Sequence, residues 1–149
     1  MGRWLGIDHG AKRIGVAVGG MEDGIATPLE VLPAEPREAM IQRLRVLAEE
    51  YQVEGIVVGW PLNMDGTEGP QGRLARRMGR ELSSATGLDV RMWDERLTSF
   101  EADQALAGLL TRQKKKRRQD AVAAAAMLRG FLSSGGPQVA RVPGDVPPD

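Results

Sequence analysis

Apolar and polar positions along the first 32 residues follow the two-residue period of β-strands. Residues 3–9 and 12–20 are two apolar runs separated by a tight turn, and a third apolar run covers 25–32. Pro28 interrupts the third run, which favours an edge strand or a β-bulge at that point. Three strands in close succession predict an antiparallel meander at the start of the fold.

The period changes near residue 36 and becomes that of an amphipathic helix. Starting at Met40, apolar side chains recur four, seven and eleven residues later, which predicts a helix over 36–51. The wholly apolar run 55–59 then has the composition of a strand buried on both faces of a sheet. Because a helix separates it from the strands before it, this strand is expected to pair in parallel.

The second half of the chain continues the alternation of helices and strands. It predicts a helix over 71–86, a strand over 89–95, and further helices over 99–110 and 118–132. In the first of these helices, the predicted buried stripe is Leu74, Met78, Leu82 and Ala85. A sheet with helices between its later strands is typical of the α/β class.

Two segments have the composition of loops. Residues 60–72 follow the buried strand at its carboxyl end, where open α/β sheets bind ligands, but a solvated connector has the same composition. Residues 135–149 are rich in Pro and Gly and poor in apolar side chains, so we expect a disordered tail. The predicted folded domain therefore covers residues 1–134.

Charge and cysteine content narrow the class of protein. The 149 residues include no Cys, so disulfides and thiolate metal sites are excluded. No apolar run approaches the roughly 18 residues of a membrane span and no signal peptide is recognisable, so we expect a cytoplasmic protein. The 20 basic and 20 acidic residues balance, yet six of the basic ones lie in 112–118, RQKKKRR, which can bind a polyanion locally.

Three acidic residues occupy positions where a carboxylate is costly to bury. Asp8 closes the first apolar strand, Glu95 ends the last predicted strand, and Asp120 begins the buried stripe of the last helix. An Asp can also cap its own turn or favour a helix N-terminus, so neither Asp8 nor Asp120 is diagnostic alone. If the three acids converge, a cation is needed to offset their repulsion, and oxygen-only ligands indicate Mg²⁺ or Mn²⁺. Such a site suits two-metal hydrolysis of phosphodiester bonds.

Four motifs occur in order between residue 3 and about residue 132. They are GIDHGAKRIGVAVG, VVGWPLNMDGTEGPQ, WDERLTS and QDAVAAAAML. Together they resemble the RuvX/YqgF family of the ribonuclease-H-like superfamily. The resemblance implies an α/β, ribonuclease-H-like fold with a five-stranded mixed sheet, its first three strands antiparallel, and helices on both faces. It also implies that Asp8, Glu95 and Asp120 are the catalytic residues and the ligands of two Mg²⁺ or Mn²⁺ ions when substrate is bound.

The resemblance further implies a metal-dependent endonuclease that acts on structured nucleic acid. The family is similar to Holliday-junction resolvases of the RuvC type and is associated with maturation of the 5′ end of 16S ribosomal RNA. The expected partner is therefore branched DNA or precursor rRNA. A ribosomal particle as a further partner and a homodimer are also expectations, and the sequence does not choose between the two substrates.

Basic and polar residues around the three acids form the predicted nucleic-acid contact surface. Lys12 and Arg13 match the family's KRIG segment, and the basic run lies between Glu95 and Asp120 in sequence. The complete predicted set is Lys12, Arg13, Asn63, Arg96, Thr98, Arg112, Lys114, Lys115, Lys116, Arg117 and Arg118. The alternative is that these are solvated turn residues and a solvated charge run. Contacts of this kind position the nucleic-acid backbone without reading bases.

Other readings stay open from sequence alone. A non-catalytic nucleic-acid-binding module of the same fold would gain from losing acids near phosphates, and this chain keeps all three. An ATP-binding domain of the actin and sugar-kinase type opens with a similar pattern but needs two such domains, and 149 residues supply one. His9 stands where the family often has an aromatic residue, and it is either structural or a contact to substrate phosphate. Asp94 has the wrong strand parity to be a fourth ligand.

Overall fold

The computed structural model describes residues 2–97, 112–138 and 140–144, without the side chains of 112–120. Its strands are β1 (Arg3–His9), β2 (Arg13–Gly20), β3 (Ala26–Pro33), β4 (Gly55–Trp60) and β5 (Asp89–Asp94). Its helices are α1 (Arg37–Glu50), α2 (Pro70–Thr86) and α3 (Arg112–Ser133), with short 3-10 turns at Glu95–Leu97 and Gly136–Gln138. The helix expected over 99–110 lies outside the described residues.

The strands form one mixed sheet in the order β3-β2-β1-β4-β5. The first three strands pair antiparallel, whereas β4 pairs parallel with both β1 and β5. This arrangement confirms the predicted meander and the predicted parallel pairing of the fully buried strand. As a result, β1 is the central strand of the sheet, and its carboxyl end lies at the same edge as those of β4 and β5.

The irregularity at Pro28 has the predicted form. β3 is an edge strand, and its pairing with β2 shifts between Val16 and Ala17. Val16 lies opposite Glu30 while Ala17 lies opposite Pro28, so one extra residue is accommodated on the edge strand. A proline without an N–H donor is tolerated at such a position because the ladder is already interrupted there.

The two faces of the sheet carry separate apolar clusters. Leu5 and Ile7 of β1 point into a cluster with the buried side chains of α1 and α2. Trp4 on the opposite face packs with buried side chains of α3, and its ring centroid lies 4.9 Å from that of Phe131. The alternation of side chains along β1 thus separates a two-helix layer from a one-helix layer, which places helices on both faces as expected.

Helix α3 lies unusually close to β1 because residue 6 is glycine. A Cβ placed on Gly6 would lie 2.8 Å from the Cβ of Leu128, which is closer than two carbon atoms can pack. The neighbouring helical positions are mostly small, and Ala124 and Ala125 are buried against the same cluster. Small side chains on both elements therefore let the helix cover the central strand directly.

Two helices differ from their predicted patterns. The helix predicted over 118–132 is described over 112–133, so the backbone of the basic run, for which the sequence allowed an exposed loop or a helix extension, is helical. In α2 the buried residues are Gly72, Ala75, Met78, Gly79 and Leu82, whereas Leu74 is 41% exposed. The predicted stripe is therefore wrong at Leu74. A Cβ placed on Gly72 would lie 2.8 Å from Glu68 Cγ, and one on Gly79 would lie 2.9 Å from Met92 Sδ, so the buried face of α2 has no room for a larger side chain at these positions.

Residues after α3 contact the sheet. The backbone N–H of Met92 donates to the carbonyl of Arg141 at 2.6 Å, and the two residues form an isolated antiparallel bridge. The space beside Gly79 is filled by Pro143, whose Cγ would lie 3.1 Å from a Cβ placed there. These contacts involve residues 141 and 143 of the segment expected as a tail, while residues 139 and 145–149 lie outside the described residues. No helix among the described residues is long and apolar enough to cross a membrane.

Candidate active site

Two of the three predicted acids meet at the carboxyl edge of the sheet. Asp8 is the penultimate residue of β1, and Glu95 is the first residue after β5. The carboxyl groups of these residues hydrogen-bond to each other, although β4 lies between their strands. In the register, Ile7 pairs with Val58, so the next pair of positions in line is Asp8 and Gly59. The acids therefore face each other across a glycine.

The environment of Glu95 opposes its ionisation. Burial, the hydrogen bond to Asp8 and the negative charges of Asp8 and Asp94 together raise the pKa of Glu95 to about 9. Glu95 is accordingly protonated at neutral pH and can donate its O–H to the Asp8 carboxylate. A cation bound between the two carboxyl groups would replace this proton and offset the repulsion between the two negative charges.

The turn that carries Glu95 is fixed by Asp94 and Arg96. The backbone N–H of Arg96 donates to Asp94 Oδ1 at 3.0 Å, which starts the 3-10 turn. The Arg96 guanidinium pairs with the same carboxylate at 2.6 Å and donates to the carbonyl of Met64 at 3.0 Å. Arg96 therefore connects the turn to the loop after β4 by hydrogen bonds. The Asp94 carboxylate is paired with this arginine.

The loop after β4 is held in place by a partly buried ion pair. Both Glu68 oxygens accept from the Arg76 guanidinium at 2.8 Å, and Trp60 Nε1 donates to Glu68 at 2.9 Å. Burial acts to raise the pKa of Glu68, but the hydrogen bonds from Arg76 and Trp60 hold it below its usual value. Asn63 Nδ2 donates to Thr67 Oγ1 at 2.9 Å, so the loop is internally ordered at its exposed tip.

The third predicted acid, Asp120, belongs to helix α3, and only its backbone is described. Phe131 packs on Trp4 and Leu128 lies over Gly6, so α3 runs antiparallel to β1. Asp120 precedes Leu128 by two turns, about 12 Å along the axis, in the direction of the end of β1. The side chain of Asp120 is not described, so its place in the site stays a prediction. Among the described residues, no group of three or more His, Asp or Glu residues could hold a metal ion.

The β1–β2 turn presents one exposed cation beside Asp8. The Gly10 N–H donates to the Arg13 carbonyl at 2.9 Å and closes the turn, with Lys12 exposed and Arg13 half-buried. Next to Asp8, burial and the charge of Arg37 lower the pKa of His9, against a smaller opposing effect of Asp8, so the ring is neutral at pH 7. Thr98 and the side chains of the basic run 112–118 lie outside the described residues.

Sequence reasoning missed the part played by Gly59 in this site. A glycine inside a wholly apolar buried strand was a usable signal, because such a residue often marks a close approach of other atoms. The pairing of Arg96 with Asp94 also escaped prediction. The sequence indicated this pairing only weakly. Two oppositely charged residues two positions apart can pair only where the chain turns.

Comparisons with known proteins agree with the fold and identify the family. Residues 2–134 match the family model described as "RuvX: Holliday junction resolvase". A candidate pre-16S rRNA nuclease of Anaeromyxobacter sp. (strain Fw109-5) is 43% identical over 132 residues, which cover 87% of this chain and 96% of that protein. A protein with the same description from Clostridium botulinum (strain Eklund 17B / Type B) is 41% identical over 131 residues, covering 87% and 96%.

The fold is shared with a solved nuclease structure. RuvC of T. thermophilus in complex with a Holliday junction substrate superposes with a TM-score of 0.59 at 17% sequence identity, covering 95% of this chain and 99% of that one. At this identity the likeness concerns the fold, which is the ribonuclease-H-like arrangement of a mixed sheet between helices. The family match and the identity to curated relatives go further, and they show that the chain belongs to the RuvX family of nucleases.

Proposed function

We propose that this chain is a divalent-metal-dependent endonuclease that hydrolyses phosphodiester bonds in structured nucleic acid. The observation that carries the proposal is the contact between the carboxyl groups of Asp8 and Glu95 at the end of the central strand. Burial and neighbouring negative charge both oppose ionisation of Glu95, and a bound cation would reverse that balance. The membership of the RuvX family supports the same chemistry.

Mg²⁺ or Mn²⁺ fits the donor set of this site. Asp8 and Glu95 offer oxygen ligands only, which hard divalent cations prefer, and Asp120 is the proposed third ligand. When bound, two such ions supply an activated water and stabilise the leaving 3′ oxygen. Glu95 must release its proton on binding, while Asp94 is kept away from the site by its pairing with Arg96.

The substrate is expected to be held by its phosphate backbone. Lys12 and Arg13 are on the turn next to Asp8, and Asn63 is on the exposed tip of the loop beyond β4. We propose that these residues, together with Arg96, Thr98 and the basic run 112–118, contact the backbone of the scissile strand. Contacts of this type position a substrate without reading its bases, which suits recognition of nucleic-acid shape.

Two substrates are supported by different comparisons. The family description favours a four-way DNA junction as substrate. The curated relatives at 41–43% identity are instead described as nucleases of precursor 16S rRNA. Symmetric cleavage of a junction requires a homodimer, and cleavage of one rRNA precursor does not. For the rRNA activity we propose a ribosomal particle as a further partner.

Cleavage of both substrates by matched variants tests the proposal. Wild type, Asp8→Asn and the control Glu49→Gln are incubated with Mn²⁺ or Mg²⁺ and either a mobile four-way junction or an RNA spanning the 5′ end of mature 16S rRNA. Glu49 is an exposed acid near the end of α1, so its variant should cleave as wild type does. We expect metal-dependent cleavage that is lost only in Asp8→Asn. Salt-sensitive binding without cleavage would instead favour a non-catalytic binding module.

A further inference from the structure

The contact between Asp8 and Glu95 is made across an intervening strand. β1 and β5 are separated by β4, so the two backbones are two strand spacings apart, roughly 10 Å. Gly59 is level with Asp8 on one side and pairs with Trp93 on the other. Glu95 is the first residue after β5, and β4 lies between β5 and β1. Its side chain must therefore pass over Gly59 of β4 to reach Asp8.

The path of Glu95 is open only because residue 59 has no side chain. A Cβ placed on Gly59 would lie inside van der Waals contact of Glu95 Oε1, and 3.1 Å and 3.2 Å from Cδ and Cγ of the same side chain. The backbone of Gly59 is not in the left-handed region that glycine favours. Space, and not backbone conformation, is therefore what this position requires.

We propose that Gly59 is a positioning residue of the metal site, because its missing side chain admits the Glu95 carboxyl group to Asp8. This role rests on the proposed metal-dependent function. Residue 59 of β4 is the position whose lack of a side chain leaves room for the two acids to meet. A methyl group at residue 59 would push the Glu95 carboxyl group away from β1. The two carboxylates would then be too far apart to ligate one cation together.

A second glycine of the same strand offers a matched control. Gly55 lies on the same face of β4, and a Cβ placed there would collide with the Trp4 ring and lie 2.8 Å from the Asp89 carbonyl oxygen. Those atoms belong to the apolar cluster and to the β5 backbone, far from the carboxyl edge. Gly55→Ala therefore introduces the same methyl group and a comparable packing defect without touching the acids.

Binding of Mn²⁺ to the full chain, measured by isothermal titration calorimetry, tests the proposal without relying on activity. We expect Gly59→Ala to weaken Mn²⁺ binding by about 10- to 100-fold, the range typical of changes beside metal ligands. Gly55→Ala should bind Mn²⁺ as wild type does while losing stability in urea. Equal Mn²⁺ affinity of Gly59→Ala and wild type would overturn the inference.

A double variant separates steric positioning from general damage. Glu95→Ala removes all three side-chain atoms that a methyl group at residue 59 would meet. Adding Gly59→Ala to the Glu95→Ala background should therefore cost much less Mn²⁺ affinity than adding it to wild type. The same loss in both backgrounds would refute the proposal. So would failure of both Gly59 variants to fold while Gly55→Ala folds, because that result would assign Gly59 to packing.

The outcome for Glu95→Gln distinguishes this inference from the proposed function. If Glu95→Gln binds Mn²⁺ as tightly as wild type, Glu95 is not a ligand and the proposed metal site fails as a whole. If Glu95→Gln loses affinity but Gly59→Ala does not, the metal site stands and only the positioning role of Gly59 is wrong.

Discussion

Replacing Glu95 by Gln should stabilise the metal-free protein at neutral pH. In the folded state, burial, the hydrogen bond to Asp8 and nearby negative charge raise the pKa of Glu95 from 4.5 to about 9. The unfolded chain ionises this group near its ordinary value, so the folded state alone holds the proton between these limits. Gln has the same shape, needs no proton and can still donate a hydrogen bond to Asp8.

The size of the effect follows from the difference in bound protons. Ionisation of Glu95 stabilises the unfolded state by about 1.4 kcal/mol for each pH unit above the ordinary pKa of 4.5. Between that pKa and pH 7 this amounts to about 3 kcal/mol. The sign is fixed because a group with a raised pKa in the folded state contributes stability below the unfolded pKa and loses it as pH rises. The wild-type free energy of unfolding should therefore fall between pH 4.5 and about 9 through this group.

Urea unfolding in the presence of EDTA measures this difference directly. The stability advantage of Glu95→Gln should be near zero at about pH 3, well below the ordinary pKa of 4.5, where both states of the wild type are protonated, and should reach about 3 kcal/mol at pH 7. Titrating groups that do not interact with Glu95 are common to both proteins and cancel in the comparison. A variant that is less stable than wild type at pH 7, or a difference that does not change with pH, would refute the assignment of a proton to Glu95.

Three further predictions concern the basic run, the loop and the helix contact. Neutralising the lysines at 114–116 should weaken nucleic-acid binding and flatten its dependence on salt, and an unchanged slope would mean that they do not contact phosphate. Arg76→Ala should lower the free energy of unfolding at pH 7 by about 1–3 kcal/mol in urea, because the partly buried Glu68 loses the paired guanidinium and keeps only its hydrogen bond from Trp60. Gly6→Ala should cost about 1–3 kcal/mol by urea unfolding, because the new methyl group would press on Leu128, and retained stability would mean that α3 can shift.

The acids of the site illustrate how far sequence reasoning extended. Asp8 and Glu95 were identified because an acid that ends an apolar strand is costly without a partner, and the structure brings these two together. That prediction needed only strand boundaries and the rule that carboxyl ends of parallel strands meet at one edge. Asp120 was identified by helical periodicity, and its backbone lies on the helix that covers β1, while its side chain stays a prediction.

Burial in α2 and in the tail could not be obtained from periodicity. Leu74 is apolar and correctly spaced, yet the helix turns Gly72, Ala75 and Gly79 to the sheet and leaves this leucine exposed. Periodicity likewise gives no position for the residues after α3, where Pro143 fills the space beside the helical Gly79. In both cases the shape of the facing surface decided which side chain fits.

The amino-acid sequence by itself determined the order of strands and helices, the mixed sheet and two acids at its carboxyl edge, because these depend on local periodicity and strand direction. Only the tertiary structure decided that Glu95 passes over Gly59 and that its pKa is raised to about 9. Both features depend on the distances between atoms of β1, β4 and the turn after β5, and on the exclusion of water from between them. Local pattern contains no information about those distances, whereas the electrostatic free energy of a buried carboxyl group depends strongly on them.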